Sequence, residues 1–268
     1  MTAAADIKSV IWIASYPKSG NTWLRFLVCN LLFGPQDSAA ALNHLAPDIH
    51  ELAGTPLPPQ EITFLKTHYP HSSRMPLAAH TAAVLYIVRH PADVLLSNHH
   101  YSHRRGGVAG LDLKQYVERY LSEGGDPHWT ELGIGPWSDH VRSWLALRSS
   151  VPLLLLRYED LIEDCAASAR QICTFLGLQR SASEVTAAIE GSSFERMRQI
   201  EADDIAQRRV GIFYKPYLQS SIDSGVRFMR AGRAGQAREA LSPAQRSRVE
   251  AAFGPVMREL GYELRDGG

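Results

Sequence analysis

The amino-acid sequence predicts an α/β fold in which helices flank a central, mainly parallel sheet. Three short runs are too uniformly apolar for amphipathic helices and are typical of buried strands: Val10–Ala14, Ala83–Val88 and Pro152–Leu156. A weaker fourth run covers Ile62–Lys66. Helix-like segments lie between these runs, and such alternation favours a parallel sheet. With 268 residues, 45% of them hydrophobic, the chain can build a large core, and we expect one domain over residues 1–268.

The predicted helices lie between and after the strands, and capping residues mark their ends. Ser181 and Glu184, for example, form a capping box. We expect helices over residues 21–34, 92–103, 159–177, 181–191 and 242–261. Pro255 should kink or break the last of them. Residues 34–61 and 201–226 show no regular pattern and are expected to be loops.

The bulk charge excludes some classes of partner. The chain has 28 basic and 28 acidic residues, which argues against binding to nucleic acid or a membrane surface through bulk charge. An anionic ligand would need a local basic pocket. The cysteines fit no zinc pattern and are expected to be buried thiols in a reducing cytoplasm: Cys29, Cys165 and Cys173. Neither a secretory signal nor an apolar run of membrane-spanning length is visible, so we expect a cytoplasmic location.

Residues 12–25, WIASYPKSGNTWLR, combine an apolar run, a tight loop and a helix-like segment. A strand–loop–helix turn gathers backbone N–H groups and a helix N-terminus around one point, an arrangement that binds phosphate. The nucleotide-binding P-loop has its lysine after the second glycine, but here Lys18 precedes Gly20. The candidate anion ligands are Lys18, Ser19, Gly20, Asn21 and Thr22, and Trp23 is a candidate to stack on a base.

Polar residues also follow the next two predicted strands. Lys66 and His68 alternate at one strand end and therefore share a side; a histidine can take a proton from a hydroxyl, and a lysine can neutralise oxyanion charge. Arg89 ends another strand and suits phosphate recognition, with Ser97 in the following helix. Residues 225–238 add a basic, glycine-containing loop. The histidines after Arg89 lack the spacing and the acidic partners of a metal site, so no metal is expected.

Together these segments resemble one family, the sulfotransferases that use 3′-phosphoadenosine 5′-phosphosulfate (PAPS). The resemblance runs from Val10 to Tyr262, and six motifs follow the family's order. The matching segments are YPKSGNTW at residues 16–23, KTH at 66–68, RHPADVLLS at 89–97, YED at 158–160, SFERM at 193–197 and FMRAG at 228–232.

The resemblance implies a three-layer fold like that of the P-loop NTPases and an activity, the transfer of a sulfuryl group from PAPS to a small-molecule acceptor. The acceptor group is a hydroxyl, or in second place an amine, and no metal is required. The implied catalytic residues are His68 as general base, with Lys18, Lys66 and Ser97. The implied PAPS-binding residues are Lys18, Ser19, Gly20, Asn21, Thr22, Trp23, Arg89, Ser97, Tyr158, Ser192, Phe194, Met197, Phe228, Met229, Arg230, Ala231 and Gly232.

The sequence departs from the family pattern at several positions. Asn21 replaces a hydroxyl residue, which keeps a donor but changes the loop. Ala231 stands where animal cytosolic members usually have lysine, so the 3′-phosphate loses one charge, which Arg233 is a candidate to replace. Residues 235–238 lack the family's tryptophan. The family's short dimer motif is not found, which leaves the oligomeric state open.

Two other functions fit a phosphate-binding loop. A P-loop kinase for a small molecule or nucleotide would need a Walker-type lysine and an acid at a neighbouring strand end, and neither is found in the sequence. A non-catalytic nucleotide-binding protein on the same fold would keep the loops but lose Lys66 and His68, and both are present.

No motif in the sequence identifies the acceptor. The segments expected to line its pocket are residues 34–61, 69–80, 99–135 and 201–224, with the last as a lid. Their aromatic residues indicate a partly apolar acceptor: Trp129, Trp137, Phe213, Tyr214 and Tyr217. The composition is also typical of a bacterial member that modifies a secondary metabolite.

Overall fold

The computed structural model describes residues 8–52, 61–105 and 111–264. Within these ranges, four parallel strands form the central sheet: β1 (Ser9–Ala14), β2 (Ile62–Thr67), β3 (Thr81–Val88) and β4 (Leu153–Arg157). Their order across the sheet is β2–β1–β3–β4. All four predicted strands are present close to their expected bounds, and the predicted parallel α/β fold is confirmed.

Helices cover both faces of this sheet. In the described ranges they are α1 (Asn21–Phe33), α2 (Ala39–Leu45), α3 (Pro91–Arg105), α4 (Leu113–Glu123), α5 (Pro127–Glu131), α6 (Trp137–Leu145), α7 (Tyr158–Glu163), α8 (Cys165–Leu176), α9 (Ala182–Gly191), α10 (Phe194–Ala206), α11 (Gln219–Asp223), α12 (Ala237–Ala240) and α13 (Pro243–Glu259). Short 3₁₀ turns cover Ile49–Glu51, Ala78–His80, Ala146–Ser149 and Pro216–Leu218. No helix of the described residues is both long and apolar enough to cross a membrane.

The strand side chains alternate between two cores, one on each face. Trp12 and Tyr86 pack with residues of α4, α6 and α13 on one face. Ile13 and Leu85 pack with residues of α1, α8 and α10 on the other. Because both faces are covered, the strands are apolar on both sides, which is why they appear in the sequence as continuous apolar runs. The result is the three-layer architecture that the sequence predicts.

The parallel sheet brings the functional loops to one edge. Since the strands run in one direction, their carboxyl ends meet there, and Ala14 is aligned with Thr67 of β2 and Tyr86 of β3. The chain turns to opposite sides of β1 to reach β2 and β3. Ligands of open α/β sheets bind at such a switch point, beyond the carboxyl ends of the strands. The loops after β1, β2 and β3 therefore frame the candidate site.

Two predictions about the helices and loops were wrong, and of the predicted kink or break at Pro255 the break does not occur. The segment 159–177 is two helices, because the Asp164 side chain accepts the N–H of Ala167 and starts α8 afresh. Residues 34–61 and 201–226 contain α2, the end of α10 and α11, while residues 53–60 lie outside the described ranges. Pro255 does not break α13, which continues to Glu259.

The capping boxes and the cysteines were predicted more accurately. Ser181 and Glu184 form the predicted capping box, and Ser242 and Gln245 form the second one, at the start of α13. Cys29 and Cys173 are buried as expected, whereas Cys165 is only half-buried because it lies in the first turn of α8.

Candidate active site

The loop after β1 has the geometry of an anion-binding turn. Lys18 and Gly20 adopt the left-handed conformation, with φ of 70° and 99°. A Cβ atom on Gly20 would lie 2.5 Å from the ring of Tyr158, so only glycine fits between this loop and α7. The turn places the N-terminus of α1 at the carboxyl end of β1, where its backbone N–H groups favour an anion.

A cleft of about 570 Å³ opens at this edge of the sheet. Most of the predicted site residues line it: Lys18, Gly20, Asn21, Thr22, Trp23, Lys66, His68, Arg89, Ser97, Tyr158, Phe194, Met197, Phe228, Met229, Arg230, Ala231 and Gly232. The segments that follow all four strands contribute residues to the lining of this cleft. The fold thus brings together residues that are distant in sequence.

Two predicted site residues lie behind the lining. Ser19 is fully buried, and within the described ranges its Oγ atom has no hydrogen-bond partner. Ser192 is also fully buried, and its Oγ atom donates to the carbonyl of Ala188 at 2.9 Å. The Ser192 hydroxyl is therefore used in a hydrogen bond to the backbone at the end of α9.

His68 is fixed through its backbone and its ring. Its N–H donates to Nε2 of His50 at 2.9 Å, and its carbonyl accepts from Nε2 of His140 at 3.1 Å. The His140 ring is itself held by Tyr86, whose hydroxyl donates to Nδ1 at 2.9 Å. Nδ1 of the His68 ring lies 2.8 Å from the carbonyl oxygen of Ser15. His50, His140 and Ser15, the residue that follows β1, therefore fix the position of His68.

These contacts also determine the protonation of the His68 ring. A carbonyl oxygen only accepts, so Nδ1 carries the proton and donates to Ser15, leaving the lone pair on Nε2. Burial, helped by the nearby Lys66 ammonium, holds the pKa of His68 well below its ordinary value of 6.5. His68 is a neutral imidazole with a basic nitrogen, the form that a general base requires.

Asn21, the unusual residue of the loop, connects the loop to His68. Its Nδ2 atom donates to the carbonyl of Ile13 at 3.1 Å and to Oγ of Ser15 at 3.2 Å. The Ser15 hydroxyl in turn lies 3.3 Å from Nδ1 of His68. An amide can make both donations at once, which one hydroxyl hydrogen cannot. This is the structural reason for an asparagine at this position.

Lys66 forms a buried ion pair that the sequence did not predict. Its Nζ atom lies 2.7 Å from Oδ2 of Asp48, and both side chains are largely inaccessible. Burial acts to raise the pKa of Asp48, but Lys66, His50 and His68 together outweigh it and hold that pKa below its usual value. The segment before the 49–51 turn runs alongside β2, where the N–H of Lys66 donates to the carbonyl of Pro47 at 2.8 Å.

Replacing Asp48 with alanine should therefore destabilise the fold strongly, since it leaves Lys66 buried without its carboxylate. We expect a loss of about 3 kcal/mol in the free energy of unfolding, measured in urea. The matched control is Glu61→Ala, which removes the carboxylate of an exposed pair with Lys8 and should cost less than about 1 kcal/mol. Equal losses for the two variants would show that the Asp48–Lys66 pair does not stabilise this part of the fold.

The Lys18 ammonium packs against two aromatic rings. Its Nζ atom lies 4.0 Å from the ring centre of Tyr101 and 4.3 Å from that of Phe228. Tyr101 lies one helical turn after Ser97 in α3, so Lys18 and Ser97 share one corner of the cleft. Cation–π contacts of this kind orient an ammonium without neutralising its charge.

Arg89 and Arg230 form a second group of cations in the cleft. Arg89 is buried, stacks 4.4 Å from the ring centre of Tyr158 and donates to the carbonyl of Arg233 at 3.1 Å. Its Nε atom is buried and has no partner within the described ranges. Burial, together with Arg89, lowers the pKa of Arg230, because the two guanidinium groups lie close together. The buried Asp93 carboxylate lies 3.5 Å from Arg89, so the two guanidinium groups leave a net positive charge, which suits a phosphate.

The side chain of Arg233 lies at the exposed edge of this group. It pairs with Glu239 at 2.9 Å and is more than half exposed. Its charge nevertheless contributes to the lowered pKa of Arg230, so Arg233 stays a candidate for the charge that is missing at Ala231.

Aromatic residues line both ends of the cleft. Trp23 meets Tyr158 edge to face at 5.6 Å, and its indole nitrogen is buried without a partner in the described ranges. At the other end, Trp129 and Tyr217 line the cleft as predicted. Three other aromatic residues named for the acceptor pocket do not line the cleft, because they are buried away from it: Trp137, Phe213 and Tyr214.

Sequence reasoning missed the polar residues of this second end. Asp48, His50, Glu51 and Lys215 all line the cleft, and Lys215 pairs with Glu51. They come from two segments that were expected to be loops. The signal that could have indicated them is Asp48 before a short turn, where it caps the N–H of His50 at 3.0 Å.

In residues 8–52, 61–105 and 111–264, no three histidine, cysteine or acidic residues are grouped so as to hold an ion.

The fold and the cleft define a P-loop-like α/β protein with an anion-binding loop after β1. Residues 8–261 match the sulfotransferase domain family, and the chain belongs to this family. Sulfotransferase 2A1 of Rattus norvegicus is 28% identical over 252 residues, which cover 90% of this chain and 82% of the rat protein. The 3-alpha-hydroxysteroid sulfotransferase of Cavia porcellus is 30% identical over 198 residues, covering 70% of this chain and 65% of that protein.

Solved structures show the same fold. Retinol dehydratase in complex with androsterone and the inactive cofactor PAP superposes with a TM-score of 0.69 at 21% identity, over 96% of this chain and 82% of that chain. Mouse sulfotransferase SULT7A1 complexed with PAP gives a TM-score of 0.68 at 20% identity, over 95% and 87% of the two chains. These relations confirm the predicted family and its fold.

Proposed function

We propose that this protein transfers the sulfuryl group of PAPS to a hydroxyl of a small-molecule acceptor, with His68 as general base. The observation that carries the proposal is the neutral His68 ring in the same cleft as two groups of cations. Lys66 acts on the charge of this ring, Lys18 lines the same cleft from the loop after β1, and Arg89 and Arg230 lie close to each other in it. A base and two separate anion sites match a donor that carries a reactive phosphosulfate and a second phosphate.

Several features of the cleft fit the donor. Two residues that line the cleft each have a buried polar atom without a partner in the described chain, which a bound donor would satisfy: Nε1 of Trp23 and Nε of Arg89. PAPS would be held at its 5′-phosphosulfate by the α1 N-terminus with Lys18 and Thr22, at its 3′-phosphate by Arg89, Ser97, Arg230 and the Gly232 amide, and at its adenine by Trp23, Tyr158 and Phe194. Bound there, PAPS supplies the sulfuryl group and a stable leaving phosphate.

The chain's own part in the reaction is proton transfer and charge neutralisation. Nε2 of His68 takes the proton of the acceptor hydroxyl while the acceptor oxygen forms its bond to sulfur. The bond between sulfur and the 5′-phosphate oxygen breaks, and its electron pair leaves with that phosphate. Lys18 neutralises the charge that gathers on the leaving oxygen, and Lys66 that on the sulfuryl oxygens. Burial lowers the pKa of Lys66, and Asp48 opposes this effect and holds the ammonium in place.

A substitution at Gly232 tests the proposed adenine site. Its φ is 58°, and a Cβ atom there would overlap the Phe194 ring, so Gly232→Ala should displace the ring and weaken PAP binding by about tenfold. Gly235→Ala is the matched control, with φ of 76° and open space around the added atom, so it shares the backbone strain without the overlap. Binding is measured by calorimetry, and equal losses would argue against a Phe194 contact with adenine.

The lowered pKa of His68 predicts a particular pH dependence. Because the folded pKa lies below the ordinary value of 6.5, His68 stays deprotonated as the pH falls through that value. We therefore expect kcat, measured with both PAPS and acceptor saturating, to remain level through this range. A fall of kcat centred on the ordinary value would contradict a lowered pKa for His68.

The acceptor end favours an apolar alcohol or phenol. Besides Trp129 and Tyr217, the cleft is lined there by Leu132, Ile134 and Leu218. The relatives include proteins named for hydroxysteroids, and a retinol dehydratase structure contains androsterone. These observations support an acceptor with an apolar body, and the bacterial secondary metabolite that the composition suggests is one such class.

A titration distinguishes this function from a P-loop kinase. We expect PAP to bind tightly and ATP with magnesium to bind weakly, since the second anion site suits the 3′-phosphate. Tight binding of ATP with magnesium and weak binding of PAP would favour the kinase. Binding of PAP without any transfer to a broad acceptor panel would favour a non-catalytic protein.

A further inference from the structure

We propose that His50 is a second histidine of the acceptor site, which positions His68 and donates a hydrogen bond to a second oxygen of the acceptor. The proposal rests on the proposed function, since it assigns His68 as the base. It narrows the acceptor to a hydroxyl compound with an ether, carbonyl or hydroxyl oxygen next to the reacting group.

The backbone of His50 is held beside the carboxyl end of β2. Asp48 accepts the His50 N–H at 3.0 Å through one carboxylate oxygen and binds the Lys66 ammonium at 2.7 Å through the other. The His50 ring lies 4.1 Å from the ring of Tyr69, centre to centre. This short turn is therefore fastened to the end of β2, two residues away from His68.

The contact with His68 fixes the tautomer of the His50 ring. Nε2 accepts the backbone N–H of His68 at 2.9 Å, so it carries no proton, and the ring proton is on Nδ1. Burial, and then the Lys66 ammonium, lower the pKa of His50 to about 4, against the opposing effect of Asp48 and Glu51. The ring is therefore neutral, and its Nδ1 is a donor.

This donor is available to a ligand. His50 is half-buried and lines the cleft, and within the described ranges no hydrogen-bond acceptor meets its Nδ1. The His50 and His68 ring centres are 6.0 Å apart. Two rings at this separation can each contact one of two neighbouring oxygens of the same molecule, one with Nε2 of His68 and the other with Nδ1–H of His50. A bare alcohol would leave the second donor unpaired.

Three substitutions separate the two roles. His50→Gln places an amide oxygen near Nε2 and should keep the contact with His68. His50→Asn places an amide nitrogen near Nδ1 and should keep the donor to the acceptor, while His50→Phe loses both. We expect His50→Phe and His50→Asn to lower kcat by about 10-fold to 100-fold, because the base is displaced, and His50→Gln to restore most of it. PAP affinity should be unchanged in all three.

The decisive measurement is nitrogen NMR of the histidine rings, which needs neither turnover nor a known acceptor. In the PAP-bound wild type we expect His50 to be the Nδ1–H tautomer, and the His68 signals to move in His50→Phe but not in His50→Gln.

The acceptor contact is tested by adding two phenols to the PAP-bound protein. Addition of 2-methoxyphenol should shift the His50 Nδ1–H signal, and phenol should not. An Nε2–H tautomer, or unchanged His68 signals in His50→Phe, would refute the positioning role. Equal shifts with the two phenols, or none, would refute the acceptor contact. Failure of the proposed function would appear separately, as absent PAP binding or absent transfer.

Discussion

Replacing His68 with alanine should lower the rate of sulfuryl transfer by about 10²–10⁴-fold, the usual contribution of a general base. The structure supplies the reason. Hydrogen bonds from both backbone groups and from Nδ1 hold His68, and its neutral ring leaves Nε2 basic. Alanine keeps the backbone contacts with His50 and His140 but removes the base. The affinity for PAP should stay nearly intact, because the phosphate contacts belong to other loops.

The control for this experiment is His44→Ala, which removes an exposed histidine of α2 and should change neither property. Rate is measured by transfer of the labelled sulfuryl group, and affinity by calorimetry with PAP. A His68→Ala variant that turns over at a near-normal rate would exclude His68 as the base. A variant that loses PAP affinity as well as rate would show that His68 shapes the donor site.

Arg89→Ala should weaken PAP binding far more than AMP binding. Hydrogen bonds to a charged group contribute about 1.5–3 kcal/mol, or roughly 10-fold to 100-fold in affinity. AMP lacks the 3′-phosphate, so its loss should be small. Arg89 is the buried member of the second cation group, and its Nε atom has no partner in the described ranges.

Because Arg89 also donates to the carbonyl of Arg233, the variant's unfolding must be measured as well. Arg248→Ala, which breaks an exposed pair with Glu118, is the matched control for removing an arginine. Equal losses of PAP and AMP affinity would mean that Arg89 does not bind the 3′-phosphate.

The strands could be predicted from the sequence because their physical signal is local. A strand that is buried on both faces needs a continuous apolar run, and Ala83–Val88 is such a run. Short helices give no comparable signal. α2 and α11 have seven and five residues, too few for a helical period to show, and tertiary contacts stabilise them. The break at Asp164 was missed because one side chain overrides an otherwise helical pattern.

The donor side of the site was predictable for the same reason. Lys18, His68 and Arg89 each follow a strand, and a parallel sheet must bring such positions to one edge. The acceptor side was predictable only in part: its segments and two aromatic residues, Trp129 and Tyr217, were named, but its polar residues were not. Asp48 and His50 owe their place to contacts with Lys66 and His68 across a long stretch of chain, and nothing near them in the sequence encodes those partners.

The central claim is sulfuryl transfer from PAPS, and labelled transfer tests it most directly. The protein is incubated with PAPS labelled at sulfur and a panel of phenols, hydroxysteroids, sugars, nucleosides and lipid alcohols. We predict that label moves to at least one alcohol or phenol with formation of an equal amount of PAP, and that His68→Ala lowers the rate of this transfer by about 10²–10⁴-fold. Label that stays on the donor with every acceptor, although PAP binds tightly, would contradict the account.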